Sequence, residues 1–491
     1  IILYRKMARL QKLRATDEDD ANTEFASVRN LLQLPEFERS LLEGLTKDRK
    51  AETALFMPEA ARRYRSSSAS KLDSIEDGMS LECHVSPDAG WKVLSQFLSE
   101  TTEDLKIAIY DFTSPHVMQA VKSLLRAGIN VRMVYHGKKA EVGKDNKKFD
   151  WEEPDIIDEL KKAGRSRFDV MPSNNKHNAM YRNAYHIKVM VRDGETIWLS
   201  SGNLQGSNQP NVDFFNEGSG QLKDYNREWS IVIKNRKLAK VFADFIDADY
   251  NDSAEGDGTE SALLSLPDLL IPDDDAETEE MIEAARLMQV FTPKRVVFTR
   301  NNPIKIQPLL TPDNFIGHIT KLIRSARKKV YMINQYIKPK DLEVMEPAFK
   351  ELLDVLMEKT LDDSIDCRMI LRSNGEYREN HESMQAYGFN VSNIRWFNRC
   401  HTKGIVIDDS IVVVGSHNWS EWGVLFNRDA SLIIHDRTVA KYYQDIFLHD
   451  WSRWARDIIV EEDIPVISDD EVEEAALHSG YRKVSWGEYF R

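Results

Sequence analysis

Cysteine is scarce in this 491-residue chain. Its three residues, Cys83, Cys367 and Cys400, are odd in number and far apart, which excludes a disulfide framework and a zinc-ligand spacing and makes a reducing compartment the expectation. No apolar run reaches the length of about 18 residues that a bilayer-spanning helix needs. Positive charge is also in deficit: 66 Lys and Arg against 80 Asp and Glu leave a formal net charge of -14, which argues against the basic face of a general nucleic-acid coat. A locally basic cleft remains compatible with that balance. The start, Ile1-Ile2-Leu3-Tyr4-Arg5-Lys6-Met7, lacks an initiator Met and, as it stands, is too short and charged for a signal peptide. Cytoplasmic localisation is the expectation that these absences set.

With 42% hydrophobic and 30% charged residues, the composition is that of an ordinary soluble globular protein, long enough for two domains or one large bilobal one. Against that background one stretch stands out. Residues 399 to 420 read His401-x-Lys403-x4-Asp408-x6-Gly415-Ser416-x-Asn418, and the same spacing recurs as His186-x-Lys188-x4-Asp193-x6-Ser200-Ser201-x-Asn203. Two copies make chance a poor explanation. In a strand, residues two apart share a face, so each His projects beside its Lys. The apolar run Ile411 to Val414 predicts a neighbouring strand whose end delivers Gly415, Ser416 and Asn418. A cation, a hydroxyl and an amide beside an imidazole make a seat for a phosphate. By the same alternation Asp193 and Asp408, an odd number of residues from their His, point away and serve the scaffold.

Both copies resemble the HKD signature of the phospholipase D superfamily, the first departing only in carrying Ser200 where that family usually has Gly. The resemblance implies two lobes sharing one active site, in which one His attacks phosphorus and the other protonates the leaving oxygen. It also implies an acidic residue shortly after each motif.

In chain order, residues 1–78 form a helical N-terminal extension by the periodicity of Leu31, Leu34, Leu41, Leu42 and Leu45, and Ser66 to Ser70 read as a linker. Lobe 1 is expected over 79–250, an acidic linker over 251–290, lobe 2 over 291–460 and a C-terminal tail over 461–491. Strands alternating with helices, such as Asp104 to Tyr110, Val117 to Ala127 and Ile129 to Val134, predict in each lobe an α/β fold with a mixed, largely parallel sheet flanked by helices. Lobe 2 repeats lobe 1. Ser86-Pro87-Asp88 recurs as Thr311-Pro312-Asp313, and Asn226-Arg227-Glu228 as Asn427-Arg428-Asp429. This duplication predicts pseudo-twofold symmetry and sets Glu228 and Asp429 at equivalent positions, where a carboxylate would hold the far nitrogen of a catalytic imidazole; a salt bridge to the adjacent Arg is the competing reading.

The copies differ in length at one place. The chain is fourteen residues longer between Asn203 and Asn226 than between Asn418 and Asn427, and such a loop off an active-site strand reads as a lid or substrate wall, with a structural insertion as the alternative. Trp419, Trp422 and Phe426 are core by default and a hydrophobic cleft wall by the sharper reading. His417 inside the second motif is expected to be structural, and Asn174 to Asn178 to form a rim loop.

The function expected is a phosphodiesterase with His186, Lys188, His401, Lys403, Glu228 and Asp429 as catalytic residues and Ser201, Asn203, Ser416 and Asn418 around the phosphoryl oxygens. His186 as the nucleophile rests on the resemblance, and the symmetry of the motif allows the reverse. No metal and no cofactor are expected, because two lysines and a charged His supply the positive charge. The substrate is a phospholipid, by headgroup hydrolysis or transfer, or else a nucleic acid; a retired, non-catalytic binding scaffold is the remote third reading. Peripheral membrane contact is compatible with the first, and one monomer suffices for a complete site.

Overall fold

The computed structural model describes residues 71–137, 150–175, 178–179, 184–217, 219–254, 289–339, 345–373 and 377–457. The expected helical extension up to residue 70, most of the acidic linker and the whole C-terminal tail lie outside the described residues.

Two eight-stranded sheets are built to one plan. In lobe 1 the strands are β2 (Ser80–Ser86), β3 (Asp104–Ile109), β4 (Asn130–Tyr135), β5 (Phe168–Pro172), β8 (Val189–Arg192), β9 (Thr196–Ser200) and β10 (Glu228–Lys234), with a small ribbon β6 (Asn174–Asn175) and β7 (Asn178–Ala179) standing apart where the rim loop was expected. Lobe 2 holds β12 (Ile304–Thr311), β13 (Lys329–Ile333), β14 (Asp366–Leu371), β15 (Ile394–Trp396), β16 (Lys403–Ile407), β17 (Ile411–Gly415) and β18 (Asp429–His435). Two further strands, β1 (Ile75–Asp77) and β11 (Lys294–Val297), complete the sheets, whose orders are β11-β2-β10-β9-β8-β3-β4-β5 and β1-β12-β18-β17-β16-β13-β14-β15. Position by position the orders correspond, as a duplication requires.

Two expectations are corrected here. The sheets are mixed, but parallel pairing is confined to β3-β4-β5 and β13-β14-β15, and every other pairing is antiparallel. The reason lies in the motifs: β8-β9 and β16-β17 are joined by turns of a few residues, which can only return the chain antiparallel. The domain boundaries also shift. Ile75–Asp77, assigned to the extension, pairs with β12 of lobe 2, while Lys294–Val297, assigned to lobe 2, pairs with β2 of lobe 1. Each lobe thus has β2 or β12 covered by a segment lying outside its own expected boundaries, which leaves only a short strand of three or four residues at that edge.

Helices cover the outer faces: α1 (Gly90–Ser99), α2 (Pro115–Arg126) and α3 (Glu153–Gly164) on lobe 1, α6 (Phe315–Ser325), α7 (Pro347–Leu361) and α8 (Tyr377–Tyr387) on lobe 2, with α4 (Phe214–Glu217) and α9 (Glu421–Leu425) as short turns after the motifs. α2 starts two residues before the expected Val117, with Pro at its first turn, and closes before Gly128 at φ 92, the left-handed conformation that favours glycine. α5 (Arg236–Ala254) and α10 (Arg437–Arg453) face inward. Their apolar sides, including Phe242, Phe245, Tyr443 and Phe447, join Trp229, Ile231, Tyr331 and Val406 in one core that spans both lobes, flanked by a separate core in each. Helix α5 runs through Asn251 to Ala254, so the linker begins later than its composition suggested.

The inter-lobe core also contains charge. Arg227, fully buried, is bonded by Asp88 of its own lobe and by Asp450 of α10, 3.0 Å from Nε to the carboxylate. Its counterpart Arg428 meets Asp313 at 2.8 Å and Asp249 of α5 at 2.5 Å. Each arginine therefore holds one carboxylate of its own lobe and one of the other, which ties the lobes together.

Candidate active site

The segments that carry the motifs run beside each other. Arg227 N donates to Arg399 O at 2.9 Å and His401 N to Arg227 O at 3.4 Å; symmetrically, Arg428 N donates to Ala184 O at 3.0 Å. Each acid-bearing stretch of one lobe is thereby laid against the histidine-bearing stretch of the other. His186 and His401 lie just ahead of β8 and β16 rather than inside them.

Carboxylate and imidazole consequently pair across the lobes. His186 Nδ1 is 2.8 Å from Asp429 Oδ1, and His401 Nδ1 is 2.5 Å from Glu228 Oε1. Both acids are wholly buried and both histidines are buried except for 9% of their surface. With Nδ1 given to a carboxylate, each ring has Nε2 left for chemistry. Neither Glu228 nor Asp429 is the surface partner of its adjacent arginine: the arginines turn to other carboxylates, as described above.

Lys188 and Lys403 are buried beside them. Each ammonium donates to the backbone carbonyl of its own motif histidine, at 2.5 Å for Lys188 and 2.6 Å for Lys403, and Lys403 Nζ lies 3.2 Å from His401 Nε2. Burial, and then the charge of Lys403, holds Lys188 well below its ordinary value. Burial brings Lys403 down to about 8 against the pull of Glu228 and Asp429. His401 falls to about 4, mainly through burial, with Glu228 opposing. Burial raises Asp429, whereas in Glu228 the charges of His401 and Lys403 outweigh burial and lower it. Two pseudo-equivalent carboxylates are thus pushed in opposite directions.

Ser201 and Ser416 require a correction. Expected at the phosphoryl oxygens, their hydroxyls instead donate to the carboxylates of Glu228 and, at 2.5 Å, Asp429, and accept from Trp229 N at 3.0 Å and Ala430 N at 3.2 Å. A hydroxyl has one proton to give, and here it orients the acid. Asn203 Nδ2 donates to Asp111 at 3.2 Å, and the side-chain oxygens of Asn203 and Asn418 are buried with no hydrogen-bond partner. Asp193 and Asp408 sit away from the site, as the alternation implied. They adopt positive φ and receive the backbone N–H groups of Thr102 to Asp104 and of Arg327 to Lys329, closing the turns before β3 and β13.

Ser200 fits where a glycine is usual because its hydroxyl has a partner, Ser230 Oγ at 2.8 Å, while in lobe 2 a Cβ at Gly415 would meet Ser431 Oγ at 1.9 Å. Gly202, the variable place of the first motif, is pressed by Glu228, whose Cδ would lie 2.7 Å from an added Cβ. His417, its counterpart, is buried, held by Thr311 Oγ1 at 2.5 Å and Ser431 Oγ at 2.7 Å, and stacked on Phe315 at 3.6 Å. Trp419 is core; Trp422 and Phe426 pack on each other at α9.

One site residue had no signal in the motif. Asn208, from the long loop of lobe 1, donates to Glu228 Oε1 at 2.5 Å and lies 3.3 Å from His401 Nδ1. The loop length pointed to the segment, but nothing pointed to the residue. Tyr110 was likewise missed; its ring stands edge-on to His186 at 4.9 Å and takes Lys188 Nζ at 5.1 Å. Among the described residues no cluster of His, Cys, Asp and Glu has the arrangement of a metal site.

The family model described as cardiolipin synthase, PLD-like domain, matches residues 94–250 and 319–451, one match for each lobe and together more than half of the chain. The chain belongs to the phospholipase D superfamily. Its two repeats are the two lobes described above. Among solved structures, phosphatidylserine synthase from Haemophilus influenzae Rd KW20 aligns with 77% of this chain and 87% of its own at 13% identity and TM-score 0.50, a likeness of fold. Nuc from Salmonella typhimurium, titled a phospholipase D family member, aligns over 35% of this chain and 95% of its own at 19% identity and TM-score 0.28. NucT from Helicobacter pylori aligns over 35% and 97% at 20% identity and TM-score 0.26. No curated protein matches the chain. No described helix is long and apolar enough to cross a membrane.

Proposed function

We propose that this phospholipase D-superfamily chain is a metal-independent phosphodiesterase that works through a phosphohistidine and acts on phospholipid headgroups, by hydrolysis or by transfer to another alcohol. The observation that carries the reading is the crossed pair of His-carboxylate bonds, His186 to Asp429 and His401 to Glu228, closed over two buried lysines. His186 Nε2 attacks phosphorus while its Nδ1–H is held by Asp429, which fixes the tautomer and stabilises the cation that develops. His401 delivers a proton from Nε2 to the leaving alkoxide, then withdraws one from water or an incoming alcohol so that its oxygen can displace His186. Before substrate binds, burial keeps His401 down at about 4; the negative phosphodiester seated beside it raises the affinity for that proton. Lys188 and Lys403 neutralise the equatorial oxygens of the transition state, with the amides of Asn203 and Asn418 as further contacts.

Phospholipid is favoured over nucleic acid by the acidic balance of the chain and by the lipid-synthase description of the matching family. The test offers the full chain mixed phospholipid vesicles and, separately, single- and double-stranded DNA and RNA, all in excess EDTA. Release of phosphatidic acid, or headgroup exchange onto added ethanol, is expected. Nicked nucleic acid beside untouched lipid, abolished by His186→Ala, overturns the lipid assignment. For the mechanism, His401→Ala with a p-nitrophenyl phosphodiester should accumulate an acid-labile, alkali-stable phosphoryl group on His186; label on a serine sinks it.

A further inference from the structure

The duplication allows the two walls of the cleft to be compared position by position. Thr113 N and Lys338 N donate to the carbonyl just after each motif asparagine, Leu204 O at 3.0 Å and Trp419 O at 2.9 Å. Asp111 therefore corresponds to Tyr336 and Thr113 to Lys338. In the same way His136, which follows β4, corresponds to Arg372, which follows β14. Lobe 1 thus presents a carboxylate, a hydroxyl and an imidazole, where lobe 2 presents a phenol, an ammonium and a guanidinium.

These lobe 2 side chains line a cavity of about 170 Å³ together with Glu379, Asn380 and Ser383 from the first two turns of α8. Lys338 Nζ lies 5.2 Å from the Tyr336 ring centroid. Among the described lining residues two cations stand beside one carboxylate, and an amide and a hydroxyl at the start of α8 add donors suited to an oxyanion. The cavity adjoins the site: Ile337 bridges Trp419, next to Asn418, and the charge of Arg372 is felt, after burial and nearer groups, by both His401 and Lys403. No such cationic set stands at the equivalent lobe 1 positions, where Asp111 is bonded by Asn203 and Gln205.

We propose that this lobe 2 cavity is a subsite for a second anionic group, a phosphate carried on the leaving alcohol of a phospholipid headgroup, and that it sets the direction in which the phosphodiester lies. This rests on the reading above: with His186 attacking in line, the leaving oxygen faces His401 and hence lobe 2. The headgroup lies against Lys338 and Arg372, and the diacylglycerol arm lies toward the lobe 1 wall.

Calorimetric titration of the full chain with glycerol 1,3-bisphosphate and with glycerol 3-phosphate tests the subsite without requiring turnover, so it fails separately from the phospholipase reading. The bisphosphate should bind about tenfold tighter or more, the worth of a charge-assisted hydrogen bond. Lys338→Gln with Arg372→Gln should bring the ratio close to one, and Glu379→Gln, which removes the opposing charge, should increase it. Equal affinities in the wild type, or a ratio indifferent to all three substitutions, overturn the subsite. Turnover then assigns the source of the phosphate: faster release from phosphatidylinositol 4-phosphate than from phosphatidylcholine in neutral-detergent micelles supports a headgroup. Tight bisphosphate binding in a chain that cleaves only oligonucleotides overturns that source in favour of a neighbouring phosphate of the strand.

Discussion

At the residue scale the site depends on two buried carboxylates, each held by more than one donor. Glu228 takes bonds from His401, Ser201 and Asn208, and Asp429 from His186 and Ser416, so each acid is fixed before substrate arrives. Glu228→Gln and Asp429→Asn keep the shape but cannot hold an imidazolium; kcat should fall by about 10²–10⁴, the usual worth of acid–base assistance. Asn208→Ala removes one hydrogen bond to a charged group, a loss of about 1.5–3 kcal/mol, and should cost about tenfold to a hundredfold in kcat with little change in KM. Steady-state turnover of bis(p-nitrophenyl) phosphate measures all three, and an unimpaired Asn208→Ala would show that the long loop only fills space. The acids were legible in the sequence from their place after each motif. Asn208 was not, since its contact with His401 spans 193 residues of chain and follows from how the loop folds back.

Among the elements, the two motif hairpins show how small residues decide what fits. Gly202 lies under Glu228 and Gly404 under the Trp229 ring, where an added Cβ would come within 2.7 Å and 2.3 Å of the atoms above. Gly202→Ala should displace Glu228 and so misplace His401; a shift on the order of an ångström costs about a hundredfold in rate. Kinetics beside a circular-dichroism spectrum will tell this from unfolding, and full activity would contradict the tight placement of Glu228. Strand β2 carries a second test, through His84, which is fully buried and whose burial brings it down to about 4 from an ordinary 6.5. Because the unfolded chain binds this proton and the folded one does not, the contribution of neutral His84 is complete above about 6.5 and is lost as pH falls toward 4. His84→Gln should therefore flatten the decline of Tm between those limits by up to one proton; an unchanged slope counts against its burial.

For the whole molecule, the link between lobes is both packing and charge. The shared core with Trp229, Phe242 and Tyr443 buries apolar surface from both sheets, while the two arginine clusters join lobe to lobe through Asp450 and Asp249. Stranding a buried guanidinium is costly. Asp450→Ala should destabilise the chain by about 3–5 kcal/mol in denaturant unfolding, whereas Asp244→Ala, which breaks an exposed pair with Lys240, should cost under about 1 kcal/mol. Comparable losses from the two would mean that the inter-lobe arginines are not held as described. Since each acid crosses to the other lobe, loosening this interface should also reduce turnover before the lobes unfold.

What could be read from the chain alone is what lies close along it: histidine and lysine two apart on one face, the aspartate that points away from them, the apolar strand that follows, and the duplication of the whole arrangement. Such relations depend on the period of a strand and survive any tertiary context. The rest depends on contacts between residues 173 and 243 positions apart, namely Glu228 to His401 and Asp429 to His186. Spacing is silent on which lobe supplies the acid for which histidine, on the serine hydroxyls turning to those acids instead of to phosphate, and on Ile75–Asp77 and Lys294–Val297 lying on the sheets of the opposite repeats. These were settled only when two similar sheets closed over one core, because burying that surface is what brings distant polar groups within bonding range and makes an unpaired one costly.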